Sequence, residues 1–241
     1  MDLTCDSIRD ITIYQSKRGY RFSVDALVLE NFIQDKPYRK AIELGAGCAV
    51  VSMLLAKRLK NTDIIAVELQ ERLIKIAQKN VAANNLSTHI TLLHEDIKQL
   101  RSVFEPEKYD LVFTNPPYRK NETGRISPVS EISLARHEIT VTLEENISTA
   151  SYLLKNRGTF CIIYHPFRLT ELIKVLTTYR LEPKRMRCVH DKKDEEAKMV
   201  LIEAVKGAGQ WLTIEAPLLI HTQEGMYTKE MNEIFNYLPP G

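Results

Sequence analysis

The chain has only four cysteines, Cys5, Cys48, Cys161 and Cys188, and no two of them form a Cys-x-x-Cys pair. Their scatter argues against a zinc site and fits a reducing compartment, so a cytoplasmic location is expected. No apolar run approaches the roughly 20 residues that a bilayer-spanning helix needs. The start, Met1-Asp2-Leu3-Thr4-Cys5-Asp6, is acidic and polar, unlike a signal peptide. Neither sign of charge dominates. The 33 Lys and Arg against 31 Asp and Glu leave a net charge of +2, too little for a generic polyanion binder. Internal repeats, low-complexity segments and obvious linkers are also missing. What remains is an ordinary globular composition, 44% apolar and 27% charged over 241 residues. A core of that size needs no disulfide or metal staple.

Strand-like and helix-like segments alternate along the chain. Residues 11–22 read as one or two short strands with a turn at Lys17-Arg18-Gly19. Ser23 is placed to cap a helix from Val24 to about Ile33. Strands are expected at Lys40–Leu44, Asp63–Val67, Ile90–Leu93, Tyr109–Thr114 and Thr159–Tyr164. Helices are expected at Val50–Leu59, Gln70–Asn84, about 138–156 and Leu169–Thr178. On the second of these, Leu73, Ile76, Ala77 and Val81 share one face. Strands near 184–190, 197–205 and 212–220 follow, then a polar tail. This rhythm predicts a mostly parallel α/β sheet with helices on both faces, finishing in an antiparallel hairpin. The loop 117–137 is longer than ordinary connections, as functional loops often are.

Two turns carry the chemistry. Asn115-Pro116-Pro117-Tyr118 follows the strand Tyr109–Thr114, at the sheet edge where open α/β folds place their ligands. Asn115 offers an acceptor oxygen and an amide donor. The residue before a proline is held extended, and the two prolines donate no hydrogen bond while their carbonyls stay free. With the flat ring of Tyr118, this makes a rigid, acceptor-rich rim suited to a planar group that bears an –NH₂. The second turn, Glu43-Leu44-Gly45-Ala46-Gly47-Cys48-Ala49, follows the first core strand. Its glycines permit a tight turn and close ligand approach. The absence of a Gly-Lys-Ser/Thr ending excludes a P-loop. A Gly-x-Gly turn alone is weak evidence, because ligand-free turns use it too. Acids at successive strand ends strengthen it. Glu68 can accept from both hydroxyls of a ribose, Asp96 from an adenine amino group, and Glu43 can hold a cationic amino group. Cys48 reads as a small filler, and Trp211, the one tryptophan, as hairpin packing. Cations gather in three groups: Lys17, Arg18 and Arg21; Arg119, Lys120, Arg125 and Arg136; and Lys184, Arg185, Arg187, Lys192 and Lys193. The second group trails the Asn-Pro-Pro-Tyr turn, which favours it as a phosphate contact.

The order Glu-Leu-Gly-Ala-Gly, acid, acid, Asn-Pro-Pro-Tyr, over roughly residues 40–165, resembles the class I S-adenosylmethionine-dependent amino-methyltransferases. The resemblance implies a Rossmann-like, seven-stranded, mostly parallel sheet whose last strand is antiparallel. It implies S-adenosylmethionine as cofactor. Gly45 and Gly47 would line its methionine moiety, Glu68 its ribose, and Asp96 and Ile97 its adenine. The family's third small position is Ala49 here, which adds a methyl group. Gly19-Tyr20-Arg21-Phe22-Ser23-Val24-Asp25-Ala26, Ala135-Arg136-His137-Glu138 and Pro217-Leu218-Leu219-Ile220-His221 resemble the bacterial subfamily that methylates adenine N6 in valine tRNA. That likeness implies an N-terminal extension (1–34) on a catalytic core (35–241), with Asp25 near the methionine end. It also implies an RNA substrate, tRNA near its anticodon; no membrane is expected, and no obligate protein partner is inferred. Asn115 and the Pro116 carbonyl would grip the amine. Tyr118 would stack on the base, and Arg119, Lys120 and Arg125 would touch the RNA backbone. Arg119-Lys120 departs from the subfamily, which often has an aromatic residue after the tyrosine. The same turn also resembles that of protein glutamine methyltransferases. A non-catalytic nucleoside binder is the reading outside the enzyme class.

Overall fold

A computed structural model of the chain describes residues 3–17, 23–116 and 141–236. The chain opens with a hairpin of β1 (Leu3–Ile8) and β2 (Ile11–Ser16), turned at Arg9-Asp10 with Arg9 at φ 50°. The expected turn at Lys17-Arg18-Gly19 is therefore not the one that pairs these strands. The preceding segment, Leu3–Ile8, supplies the partner instead. Helix α1 (Val24–Phe32) begins where expected, but the Ser23 side chain makes no capping bond.

Strands and helices then alternate: β3 (Lys40–Leu44), α2 (Val50–Arg58), β4 (Asp63–Glu68), α3 (Glu71–Ala83), β5 (Ile90–His94), the short α4 (Leu100–Val103) and β6 (Tyr109–Thr114). After the undescribed stretch come α5 (Leu143–Leu153), β7 (Leu154–Tyr164), α6 (Leu169–Thr178), β8 (Leu181–His190) and β9 (Ala197–Lys206). A Thr142–Glu145 capping box starts α5, so its described portion begins later than the expected residue 138. At its other end α5 stops at Leu153 and β7 starts at once. Within β7 the register against β6 shifts between Leu154 and Thr159, and Gly158 lies there with no room for a Cβ, which would meet the Lys155 carbonyl at 2.9 Å.

With two short edge strands, β10 (Thr213–Ile214) and β11 (Leu218–Leu219), the sheet order is β10-β8-β9-β7-β6-β3-β4-β5, with β11 also on β8. Seven strands form the body, and β9 runs antiparallel between β7 and β8. The segment 212–220 is not one strand. It makes two short ones, β10 and β11, both parallel to β8. The expected polar tail contains a helix, α7 (Lys229–Asn236), which buries Met231 and Ile234. Trp211 is 76% exposed before β10, so it is not hairpin packing.

Apolar side chains cover both sheet faces. One layer joins α1, α2 and α3 to Ala41, Ala66 and Leu111, and the other joins α5 and α6 to Ile42, Val67 and Val112. Neighbouring residues along each strand therefore go to opposite layers, as strand geometry requires. No described helix is long and apolar enough to cross a membrane.

Candidate active site

Strand order reverses around β3: β4 lies on one side of it and β6 on the other. In open parallel sheets the crevice at such a reversal, outside the carboxyl ends of the strands, is where ligands bind. Here the glycine turn leaves β3 and Asn115-Pro116 leaves β6, so the two turns flank that crevice. Leu44 pairs with both Val67 and Thr114 in register, which sets the strand ends level. Thr114 Oγ1 donates to the Leu44 carbonyl at 2.8 Å, a direct tie between the two turns. Asn115 is half-buried and Pro116 buried. Pro117, Tyr118, Arg119, Lys120, Arg125, Arg136 and His137 lie outside the described residues.

The glycine turn is built from alternating left-handed residues. Gly45 has φ +74°, Gly47 +56° and Ala49 +62°. Ala49 thus occupies a conformation that glycine adopts without steric cost and alanine does not. Beside Gly45, the position a Cβ would take has no heavy atom of the described residues within 4 Å. Gly47 N donates to Glu68 Oε2 at 2.8 Å, and Gln70 N donates to Glu68 Oε1 at 2.8 Å. Glu68 therefore fastens the turn to the end of β4. The carboxylate keeps acceptor capacity for a hydroxyl. Burial pushes the Glu68 carboxyl above the usual range, against the pull of backbone N–H groups from Gln70, Gly47 and Leu69.

Glu43 is only 2% exposed. It accepts from the Ser52 backbone at 3.2 Å and from the Ser52 hydroxyl. Burial pushes its carboxyl up to about 8, the two bonds from Ser52 opposing and nearby Glu68 adding to the rise. A cation beside it would draw it back to the ionised form. Asp96 caps a short 3-10 turn, its Oδ1 accepting from Lys98 N at 2.9 Å. Ile97 follows, 8% exposed in the same apolar layer as Leu44 and Val67. Asp25 stands half-buried in the first turn of α1, which packs on α2, the helix launched by the glycine turn. Burial raises the Cys48 thiol to about 12, so it is a filler and not a thiolate nucleophile.

The third basic group does not form a patch. Arg185 pairs with Glu203 and Glu215, and Arg187 with Glu230. Lys184 binds the Gly209 carbonyl. Lys192 and Lys193 sit in a turn that continues Asp194-Glu195-Glu196.

Asn80 on α3 and Asn84, the residue that ends it, are structural partners of the site that the sequence reading missed. Asn80 Oδ1 accepts from Tyr14 N at 2.7 Å, and its Nδ2 donates to the carbonyls of Tyr14 and Cys48 at 3.0 Å. Asn84 repeats the pattern on Thr12, accepting at 2.8 Å and donating at 2.7 Å. Two side-chain amides thus replace a neighbouring strand along β2, and Asn80 links that hairpin to the glycine turn. The available signal was a pair of amides spaced i, i+4 beside the apolar stripe of α3.

The family model described as the methyltransferase small domain matches residues 23–174, from α1 through most of α6. The chain belongs to that family. This methyltransferase is 28% identical over 232 residues to the tRNA1(Val) (adenine(37)-N6)-methyltransferase of Porphyromonas gingivalis, covering 93% of the chain and 90% of that protein. It is 25% identical over 227 residues to the Vibrio campbellii protein of the same name, covering 94% and 91%. Among solved structures, a predicted O-methyltransferase from Agrobacterium tumefaciens superposes with a TM-score of 0.71 at 22% identity, covering 88% of this chain and 95% of that one. The last likeness shows the fold: a class I methyltransferase sheet.

Proposed function

We propose that this methyltransferase transfers a methyl group from S-adenosylmethionine to the exocyclic N6 of an adenine in tRNA, near the anticodon. The observation that carries the reading is the pairing across one crevice of a left-handed glycine turn fastened by Glu68 with the Asn115-Pro116 end of β6. The names of relatives spanning nearly the whole chain supply the substrate class. When bound, S-adenosylmethionine supplies an electrophilic methyl group. Gly45 and Gly47 are assigned to its methionine end, with Glu43 and Asp25 near the ammonium. Glu68 is assigned to the ribose, and Asp96 and Ile97 to the adenine. We read residues 1–34 as an extension that covers this site and 35–241 as the catalytic core.

An adenine N6 is a poor nucleophile because its lone pair is delocalised into the ring. The Asn115 side-chain oxygen and the Pro116 carbonyl accept from its two N–H groups, which favours a pyramidal nitrogen and stabilises the charge that develops there. No strong base is needed first, since the proton leaves after transfer. Tyr118 stacks on the base, and Arg119, Lys120 and Arg125 contact phosphates. The target must be unstacked, as bases in a loop readily are.

The test offers methyl-labelled S-adenosylmethionine and the protein to tRNA and protein fractions from a strain lacking the activity. Label in tRNA, recovered as N6-methyladenosine, is expected. Label that yields only to protease overturns the reading in favour of a glutamine substrate. Asn115→Ala should lower kcat on the order of 10²–10³-fold while cofactor affinity stays near wild type. Full activity in that variant would remove the amine grip.

A further inference from the structure

Just past β7 the chain turns through His165-Pro166-Phe167-Arg168. Ile162 of β7 pairs in parallel with Thr114 of β6, and β7 ends two residues later at Tyr164. This turn therefore rises from the same sheet edge as Asn115-Pro116, beside it. Phe167 is 77% exposed, among the most exposed large apolar side chains described. It is not loose. Its ring stacks on His165, with centroids 5.1 Å apart and planes 23° from parallel. Arg168 locks the turn from below. Its Nε and Nη2 clamp the Glu171 carboxylate at 2.8 and 2.7 Å, its Nη1 donates to the Tyr164 hydroxyl, and its guanidinium lies over the Tyr164 ring. Pro166 fixes the start of the turn.

A single exposed apolar residue on a surface needs no explanation by itself. A ring stacked near-parallel on a second ring, at the sheet edge bounding a crevice read as taking an unstacked base, is a different case. Such a ring offers an open π-face at little ordering cost. We infer that the His165–Phe167 pair is a second stacking platform, which takes an unpaired nucleobase adjacent to the target adenine. Any base has a π-face, so the platform contributes affinity and register, not sequence readout. The inference rests on the tRNA reading above.

The experiment measures steady-state methylation of unmodified tRNA by wild type and by Phe167→Ala, Phe167→Leu and Phe167→Tyr. In parallel, 2-aminopurine placed on either side of the methylated adenine reports stacking through its fluorescence. The alanine and leucine variants should raise the tRNA KM by about 5- to 150-fold, the range for loss of one stacked base. Their kcat and cofactor KM should hold, and the tyrosine variant should stay near wild type. Quenching of one flanking 2-aminopurine should be lost in Phe167→Ala. An unchanged KM and quench in Phe167→Ala, or full rescue by leucine, overturns the platform while leaving the tRNA reading intact. A wild-type protein that labels no tRNA overturns both.

Discussion

Glu43 shows how one buried side chain makes the site sensitive to pH. A glutamate titrates near 4.5 when unfolded and near 8 in this fold, because burial disfavours its charge. Between those values the folded state holds the extra proton. The stability this group contributes is full below the unfolded value and is lost as pH rises through about 8. The melting temperature of the cofactor-free protein should therefore fall from about pH 5 to about pH 9. Glu43→Gln, which mimics the protonated acid and can keep an acceptor for Ser52, should flatten that slope. Raised Glu68 acts in the same direction, so part of the slope should remain. An identical slope in both proteins would show that Glu43 does not titrate in this range. The position of Glu43 before the glycine turn was legible in the sequence. Its partner Ser52 was not, because the contact needs α2 to fold back over the end of β3.

At the scale of elements, α3 does more than pack on the sheet. Asn80 serves both the hairpin and the glycine turn, whereas the bonds of Asn84 go to Thr12 of the hairpin, to Met53 and to the Asn80 carbonyl. The two should separate in function. Asn80→Ala strands the Tyr14 N–H and two carbonyls, which should cost about 2–4 kcal/mol. It should also raise the KM for S-adenosylmethionine, because the Cys48 carbonyl loses its anchor. Asn84→Ala should cost a similar amount of stability while leaving that KM unchanged. Urea denaturation and cofactor titration on both variants check this, and equal effects on KM would refute the separation. The α3 periodicity predicted a helix with one apolar face. It gave no sign that two amides, one on that helix and one ending it, would stand in for a strand, since the strand they complete lies 66 and 72 positions away.

For the whole molecule, the two ends of the chain close on one buried ion cluster. Glu30 on α1 is 1% exposed between Arg9 at 2.7 Å and Arg58 at 2.6 Å. Arg9 also donates to the Ile234 carbonyl in α7 at 2.9 and 2.7 Å. The N-terminal hairpin, α1, α2 and the C-terminal helix are therefore fastened at one point. Glu30→Ala leaves two buried guanidinium groups without their shared carboxylate and should cost about 3–5 kcal/mol. Chemical denaturation should show a lower midpoint, and protection of amide hydrogens should drop in α7 as well as in the hairpin. Loss confined to α1 would mean the ends are not coupled.

The alternation of strands and helices, the two turns that flank the crevice and the acids at successive strand ends were all set by local sequence. Each depends on short-range sterics: glycine where φ must be positive, proline where the chain must stay extended, apolar residues at the period of the element. The tertiary structure decided what those rules do not reach. It made Leu3–Ile8 a strand, split 212–220 into two short edge strands, and buried one face of the expected polar tail as α7. It turned Arg185 and Arg187 of the third basic group into ion pairs, left Trp211 exposed, and set the Phe167 turn at the sheet edge that Asn115 also leaves. Each of these outcomes depends on residues distant in sequence arriving side by side, and so on the packing of the whole sheet and not on any local pattern.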